Sequence, residues 1–139
     1  MDNLNNDLEL LMSLKKQNHE FKICFDKIDD ENIKKSVKEI IVVSDKIYKE
    51  IVVNTEKVKK ANNYIRYYLA SVIKVVDRYV TFKQAGINNK EAINLYEKIE
   101  AFLPRAYEGI NKVYESLFND EILDIDSEIK VMLMELGMK

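Results

Sequence analysis

Little in this chain breaks a helix or builds a reactive site. Its 139 residues include three glycines, one proline, one cysteine, one histidine and no tryptophan. Gly86, Gly109 and Gly137 stand far apart, so no glycine-rich loop can bring clustered backbone amides onto a phosphate. Cys24 has no second cysteine to pair with, which fits a reducing compartment. A thiol phosphatase of the Cys-x5-Arg kind would need arginine at position 30, where Asp30 stands. A zinc hydrolase needs several histidines or a paired motif. His19 is alone, and Lys16 occupies the place that would complete Glu-x-x-His. His19 and Cys24 therefore read as ordinary helix residues, and neither a metal nor another cofactor is expected. No apolar run approaches the ~20 residues that span a bilayer. The opening MDNLNNDLELLMSLKK puts acidic and polar residues before apolar ones, the wrong order for a secretory signal. The expectation is a cytoplasmic protein without a membrane role.

What is present is helical periodicity. The chain is 47% hydrophobic and 33% charged, a globular composition with length for one domain. Its net charge of −2 argues against a general polyanion binder. Strand-type alternation is missing, while three-four spacing is nearly everywhere. The reading is all-α: an up-and-down helical bundle of four long helices plus a short C-terminal helix. The helices are placed at about residues 2–28, 30–53, 55–84, 89–118 and 126–136.

The stretch 55–83, TEKVKKANNYIRYYLASVIKVVDRYVTFK, carries the widest apolar face. Val58, Ala61, Ile65, Tyr68, Val72, Val75, Tyr79 and Phe82 form one row, with Leu69, Ile73, Val76 and Val80 beside it. A face that wide needs more than one partner, so this helix is placed at the centre of the bundle. Helix one begins Leu4, Leu8, Leu11; Asn18 interrupts its row, which predicts a loosely held helix or one packed on a second chain. Asp29 or Asp30 should cap helix two. Val42 and Val53 point away from its apolar row and read as isolated exposed residues. An unbroken helix from Ile33 to Phe82 would be about 75 Å long, so a break is expected near Val53-Asn54-Thr55, with Asn54 as a cap. Gly86 should stop helix three. Asn88 or Asn89 should start helix four, with Glu91 completing a capping box from Asn88. Pro104 predicts a kink rather than an end, because the apolar row resumes in register. After a loop at 119–125, Asp126 should cap the last helix, with Ile129, Met132, Leu133 and Leu136 facing inward.

Two acidic patterns invite chemistry. ILDIDSE, residues 122–128, superficially resembles the nucleophile strand of haloacid-dehalogenase-type phosphatases. That chemistry needs a parallel sheet, for which no sequence remains, so Asp124 and Asp126 read as turn and cap residues. Asp120, Glu121, Asp124, Asp126 and Glu128 lack the glycine and spacing of a calcium loop. Charge is also segregated. Between 57 and 83 seven bases face one acid, for +6; between 115 and 139 seven acids face two lysines, for −5. Tyr67, Ser71, Lys74 and Arg78 share a non-core face, with Tyr64 at its edge and Arg66 nearby. One reading makes Tyr64, Arg66, Tyr67, Lys74 and Arg78 an anion- or partner-binding strip with tyrosine stacking. The other lets the basic helix lie beside the acidic tail so that the charges offset within the chain; this is preferred.

NNYIRYYLASVIKVVDRY (62–79) followed by SLFNDEILDIDSEIKVMLMELG (116–137) resembles the bacterial 5-bromo-4-chloroindolyl phosphate hydrolysis protein family. The shared features are Tyr67-Tyr68-Leu69, Tyr79, Leu117-Phe118, and Asp124-x-Asp126 ahead of Gly137. Relatives commonly carry proline where Ala70 stands. The resemblance implies a phosphoester hydrolase acting on the indolyl phosphate, or an accessory to one, and a setting beside toxic-anion (tellurite) resistance proteins. It brings no catalytic residues with it. The alternative is a non-catalytic helical interaction module, working with a toxic-anion resistance protein or as a homo-oligomer. A third reading, nucleic-acid binding through the basic 57–83 helix, is disfavoured by the small net charge.

Overall fold

The computed structural model describes residues 2–138, with side chains from Asn5 onward, which leaves the Leu4 side chain outside the described residues. All its regular elements are helical: α1 (Asp2–Asp26), α2 (Glu31–Val53), a 3-10 helix (Thr55–Lys59), a π-helical turn (Tyr64–Tyr68), α3 (Leu69–Gln84), α4 (Lys90–Ser116) and α5 (Asn119–Glu135). The first four α-helices alternate in direction. Lys34 stacks over Phe25 while Asn18 meets Ser44, so α1 and α2 are antiparallel. Tyr79 meets Tyr96 while Gly109 faces Tyr68, so α3 and α4 are antiparallel as well.

The order of neighbours differs from the order in the chain. α2 packs on α1 and α4, and α3 packs on α1 and α4, which puts α2 and α3 on a diagonal. The most extensive pairing is α2 with α4. The later part of the 55–83 stretch, from the π turn through α3, is thus one of four staves around a shared core, not the central rod its wide face suggested. Its width serves two neighbours.

The diagonal explains the irregular backbone between α2 and α3. The chain must cross the end of the bundle before turning back along it. Val58 and Ala61, both fully buried, plug that end from the crossing segment. The expected break falls where predicted, with α2 ending at Val53, but Asn54 makes no side-chain cap bond. In place of a regular helix from residue 55, a 3-10 helix and a turn come first. Leu69 N–H then bonds to the Tyr64 carbonyl five residues back, the signature of a π turn, which inserts one residue and rotates the following face. Gln17 Nε2 supports this turn from α1, donating to the Ile65 carbonyl at 2.9 Å.

Other ends follow local chemistry. Asp30 Oδ1 accepts from Ile33 N at 3.0 Å and caps α2. Asn89 Oδ1 accepts from Ala92 N at 2.9 Å and caps α4; with Asn89 as the cap, the box expected between Asn88 and Glu91 is out of register. Gly86 closes α3 with φ +71°, and Ile87 N–H reaches back to the Phe82 carbonyl, the glycine-dependent C-terminal motif. α4 runs on through Pro104. Helix one is firmly seated rather than loose: Leu14 and Phe21 are completely buried. Asn18 fits that face because it has a partner, described next.

Candidate functional site

Tyr64 is a core residue. Its hydroxyl donates to Ser44 Oγ at 2.7 Å, Ser44 donates in turn to Asn18 Oδ1, and Asn18 Nδ2 donates to the Ser44 carbonyl at 3.2 Å. Three helices are pinned by one small, fully partnered polar cluster. Burial pushes the Tyr64 hydroxyl far above the usual tyrosine range. Tyr64 is therefore sealed away from the strip to which the sequence assigned it.

The other four strip residues lie on the surface. Arg66 Nε donates to Asn62 Oδ1 at 2.7 Å, Tyr67 is two-thirds exposed, and Lys74 and Arg78 are exposed. Among the described residues no ion pair engages Arg66, Lys74 or Arg78. They line a groove between α1 and α3. Arg66 and Tyr67 border its middle with Ser13, Gln17, Ala70 and Ile73; Lys74 and Arg78 border its upper part with Ile23, Cys24 and Asp77. On the other side of Tyr67 a second hollow opens against α4, lined by Tyr64, Tyr67, Tyr68, Ser71, Gly109 and Val113.

Lower on the basic stretch, the charges do offset within the chain. Lys57 is almost fully buried, 2.7 Å from both Glu50 Oε2 and Glu121 Oε1, with its ammonium 4.4 Å from the centre of the Phe118 ring. Burial favours its neutral form, yet the bonds to Glu121 and Glu50 prevail and hold its pKa above the ordinary lysine value. Lys60 meets Asp120 at 2.8 Å. These two lysines tie the first turn of α5 to the bundle.

One cluster escaped the sequence reading. His19 shares a hollow between α1 and α2 with Lys15, Lys22, Asp45, Tyr48 and Lys49. Lys22 pairs with Asp45 at 3.0 Å, which leaves two lysines beside the imidazole. The spacing 15-19-22 on α1 was visible as one face; its meeting with 45-48-49 depends on how α1 and α2 pair. Cys24 sits elsewhere, with Sγ 3.9 Å from Asp77 Oδ1; burial and then the Asp77 charge push its thiol pKa up, opposite to an activated nucleophile.

α5 departs furthest from expectation. It starts at Asn119, and residues 119–125 are its first two turns rather than a loop. Asp126 is no cap but pairs along the helix with Lys130 at 2.9 Å. Helical backbone across ILDIDSE removes the phosphatase-strand resemblance. No group of three or more potential metal ligands gathers there or elsewhere among the described residues. Above all, α5 has no buried residue. Ile129 and Met132, placed inward by the sequence reading, are exposed; so is Leu136, just past the helix end, while Leu133 is half-buried. Ile122, Ile125, Ile129, Met132 and Leu136 recur in three-four steps and are 52% to 69% exposed. Glu121, Glu128 and Glu135 run beside this seam at seven-residue intervals.

Fold and surface define an all-α protein: a four-helix bundle carrying a projecting, amphipathic fifth helix. A family model described as 5-bromo-4-chloroindolyl phosphate hydrolysis protein matches residues 14–132, and the chain belongs to that family. Comparison with curated proteins found no match, and comparison with solved structures found none either. No described helix is long and apolar enough to cross a membrane.

Proposed function

We propose that this protein supports indolyl phosphate hydrolysis as a non-catalytic helical interaction module, with α5 as its docking helix. The family description supplies the process. The observation that carries the role is the apolar seam of α5, wholly outside the bundle. Isolated exposed aliphatics are ordinary, but a continuous helical seam is the kind of surface that partners cover. A module of this kind works in the cytoplasm, and the family setting makes a toxic-anion (tellurite) resistance protein the first partner to test for binding.

A second reading makes the chain itself the hydrolase. The hollow holding His19, Lys15 and Lys49 favours it, since lysines attract a phosphate and an imidazole can move a proton. Complementation separates the two. Cells lacking the gene are supplied with wild type, His19→Ala, or the α5 double variant Ile125→Asp/Ile129→Asp, and indolyl phosphate hydrolysis is measured. The module predicts rescue by His19→Ala and failure of the α5 variant. Turnover by the highly purified chain that disappears in His19→Ala would overturn it.

A further inference from the structure

The geometry points to a second copy of this chain as the cover for α5, docked in reciprocal fashion. The α5 seam of each protomer lies in the α1/α3 groove of the other. This rests on reading α5 as the docking helix and commits its contact to one occupant. A separate partner protein would then meet the assembled pair.

Charge selects this arrangement over the simplest alternative. Two α5 helices packed on each other would bring Glu121, Glu128 and Glu135 against the same acids of the second copy, with Lys130 the lone base between Asn119 and Glu135. Like-charge rails along a helical seam oppose pairing. The α1/α3 groove has the opposite sign. The hollows along its middle and upper parts bring Lys27, Arg66, Lys74 and Arg78 against Glu20 and Asp77. Among the described residues of one chain the acidic rail finds a base only at its first position, where Glu121 meets Lys57. Glu128 and Glu135 have no ion pair among the described residues, and neither do Arg66, Lys74 and Arg78.

Shape and area agree. The hollows share Glu20, Ala70 and Ile73 and continue downward past Arg66 to Asn62, forming one trough. Asn62 to Arg78 spans about 24 Å at the helical rise, and α5 about 25 Å. Small side chains, Ser13 and Ala70, lie along it with Ile73, so a helix can approach closely. Burying one exposed aliphatic side chain hides on the order of 100 Å². Five seam residues and the matching groove then give each protomer roughly 1,000 Å², against ~800 Å² in a standard interface. A two-fold axis makes both docking events equivalent and closes the assembly. Folding α5 back onto its own groove is opposed by its root, where Leu117 is fully buried and Phe118 packs on Tyr114 and under Lys57.

The test is sedimentation equilibrium on the full chain over a micromolar concentration series, with far-UV circular dichroism confirming the fold of each variant. Wild type should dimerise. Ile125→Asp/Ile129→Asp should be monomeric. Lys74→Glu/Arg78→Glu and Glu128→Lys/Glu135→Lys should each raise the dimer Kd at least tenfold, and their combination in one chain should restore it to within about threefold. A wild type that stays monomeric overturns the inference, while the docking role of α5 still stands if the seam variant fails in complementation. A dimer abolished by the seam variant but indifferent to the α3 reversals overturns it in favour of α5 pairing with α5. A seam variant that both dimerises and complements overturns the inference and the docking reading together.

Discussion

Helices α4 and α5 are consecutive and carry the same three-four apolar spacing, yet they meet opposite environments. Ile99, Leu103, Ala106 and Ile110 of α4 are buried against the bundle, whereas the α5 seam is exposed along its whole length. Periodicity reports that a helix has an apolar face; it does not report what covers that face. The covering of α4 is supplied by α2 and α3 of the same chain. For α5 the described residues supply two anchoring lysines at its first turn and bury none of its side chains.

Substitution should therefore separate the two helices sharply. Leu103→Ala removes a fully buried side chain and should cost about 2–5 kcal/mol in urea unfolding. Ile129→Ala at low protein concentration should cost under about 0.5 kcal/mol. Equal losses at the two positions would mean that α5 packs on the bundle in solution. A loss at Ile129 that grows with protein concentration would mean that a second copy covers it.

The join between the regions comes next in size. Lys57→Ala strands Glu50 beside an emptied, apolar site and frees Glu121. Because Glu50 is about a quarter and Glu121 about half exposed, water offsets much of the loss, and about 1–2 kcal/mol is expected. The sharper signal is local: amide hydrogen exchange in residues 119–125 should accelerate far more than exchange in α4. Lys130→Ala removes only an exposed pair within α5 and should leave exchange at the join unchanged.

The same contrast marks what could be read from the chain alone. Helical class, the ends at Asp30 and Gly86, and the rows of α2 and α4 follow from local spacing and cap chemistry, and the structure repeats them; α2 also ends at Val53, though without the Asn54 cap bond. Asn18 reads as a flaw in α1 because its partner Ser44, itself held by the Tyr64 hydroxyl, comes from a helix distant in sequence. A regular helix run from residue 55 puts Tyr64 at the edge of the non-core strip. The π turn at Tyr64–Tyr68 shifts the register and turns that ring into the core. Such an insertion answers a tertiary demand, the diagonal crossing from α2 to α3, and leaves little trace in apolar spacing. The α5 seam was visible only in its second half, because Asp124 and Asp126 resembled a cap and turn. The His19 hollow was hidden for the same tertiary reason as the Asn18 cluster.

A smaller effect probes the polar centre of the bundle. Tyr64→Phe removes the hydroxyl donated to Ser44 and should cost about 1 kcal/mol near neutral pH. Its pH dependence is more telling. Tyr64 and Tyr79 both titrate higher in the folded chain than in the unfolded one. For Tyr79, burial and then the nearby Asp30 carboxylate raise the value to about 12. A phenol raised on folding stabilises fully below the unfolded value near 10 and loses that contribution as pH climbs toward the folded one. Wild type should thus weaken between pH 10 and 12. Tyr64→Phe should weaken less over that interval, narrowing the gap in urea midpoints measured at pH 8 and pH 11. A gap that stays the same from pH 8 to pH 11 would place the Tyr64 hydroxyl in contact with water.

The smallest expected change tests the edge where α3 meets α4. Gly109 lies inside α4, two turns from its C-terminal end, where alanine would favour the helix by about 1 kcal/mol. A Cβ added there would sit 3.0 Å from the Tyr68 hydroxyl oxygen, close enough that the ring must move. Tyr68 is 40% exposed, so its far end can swing at modest cost. The two effects oppose each other, and Gly109→Ala should change stability by no more than about 0.5 kcal/mol. The balance becomes visible in a cycle. In a Tyr68→Ala background the crowding is gone, and Gly109→Ala should recover most of the helical gain. If alanine stabilises both backgrounds equally, Tyr68 does not rest on Gly109, and the hollow beside Tyr67 is wider in solution than in this fold. If alanine destabilises both, the glycine answers to a neighbour other than Tyr68, and the α3/α4 edge is held more tightly than the α5 side of the molecule.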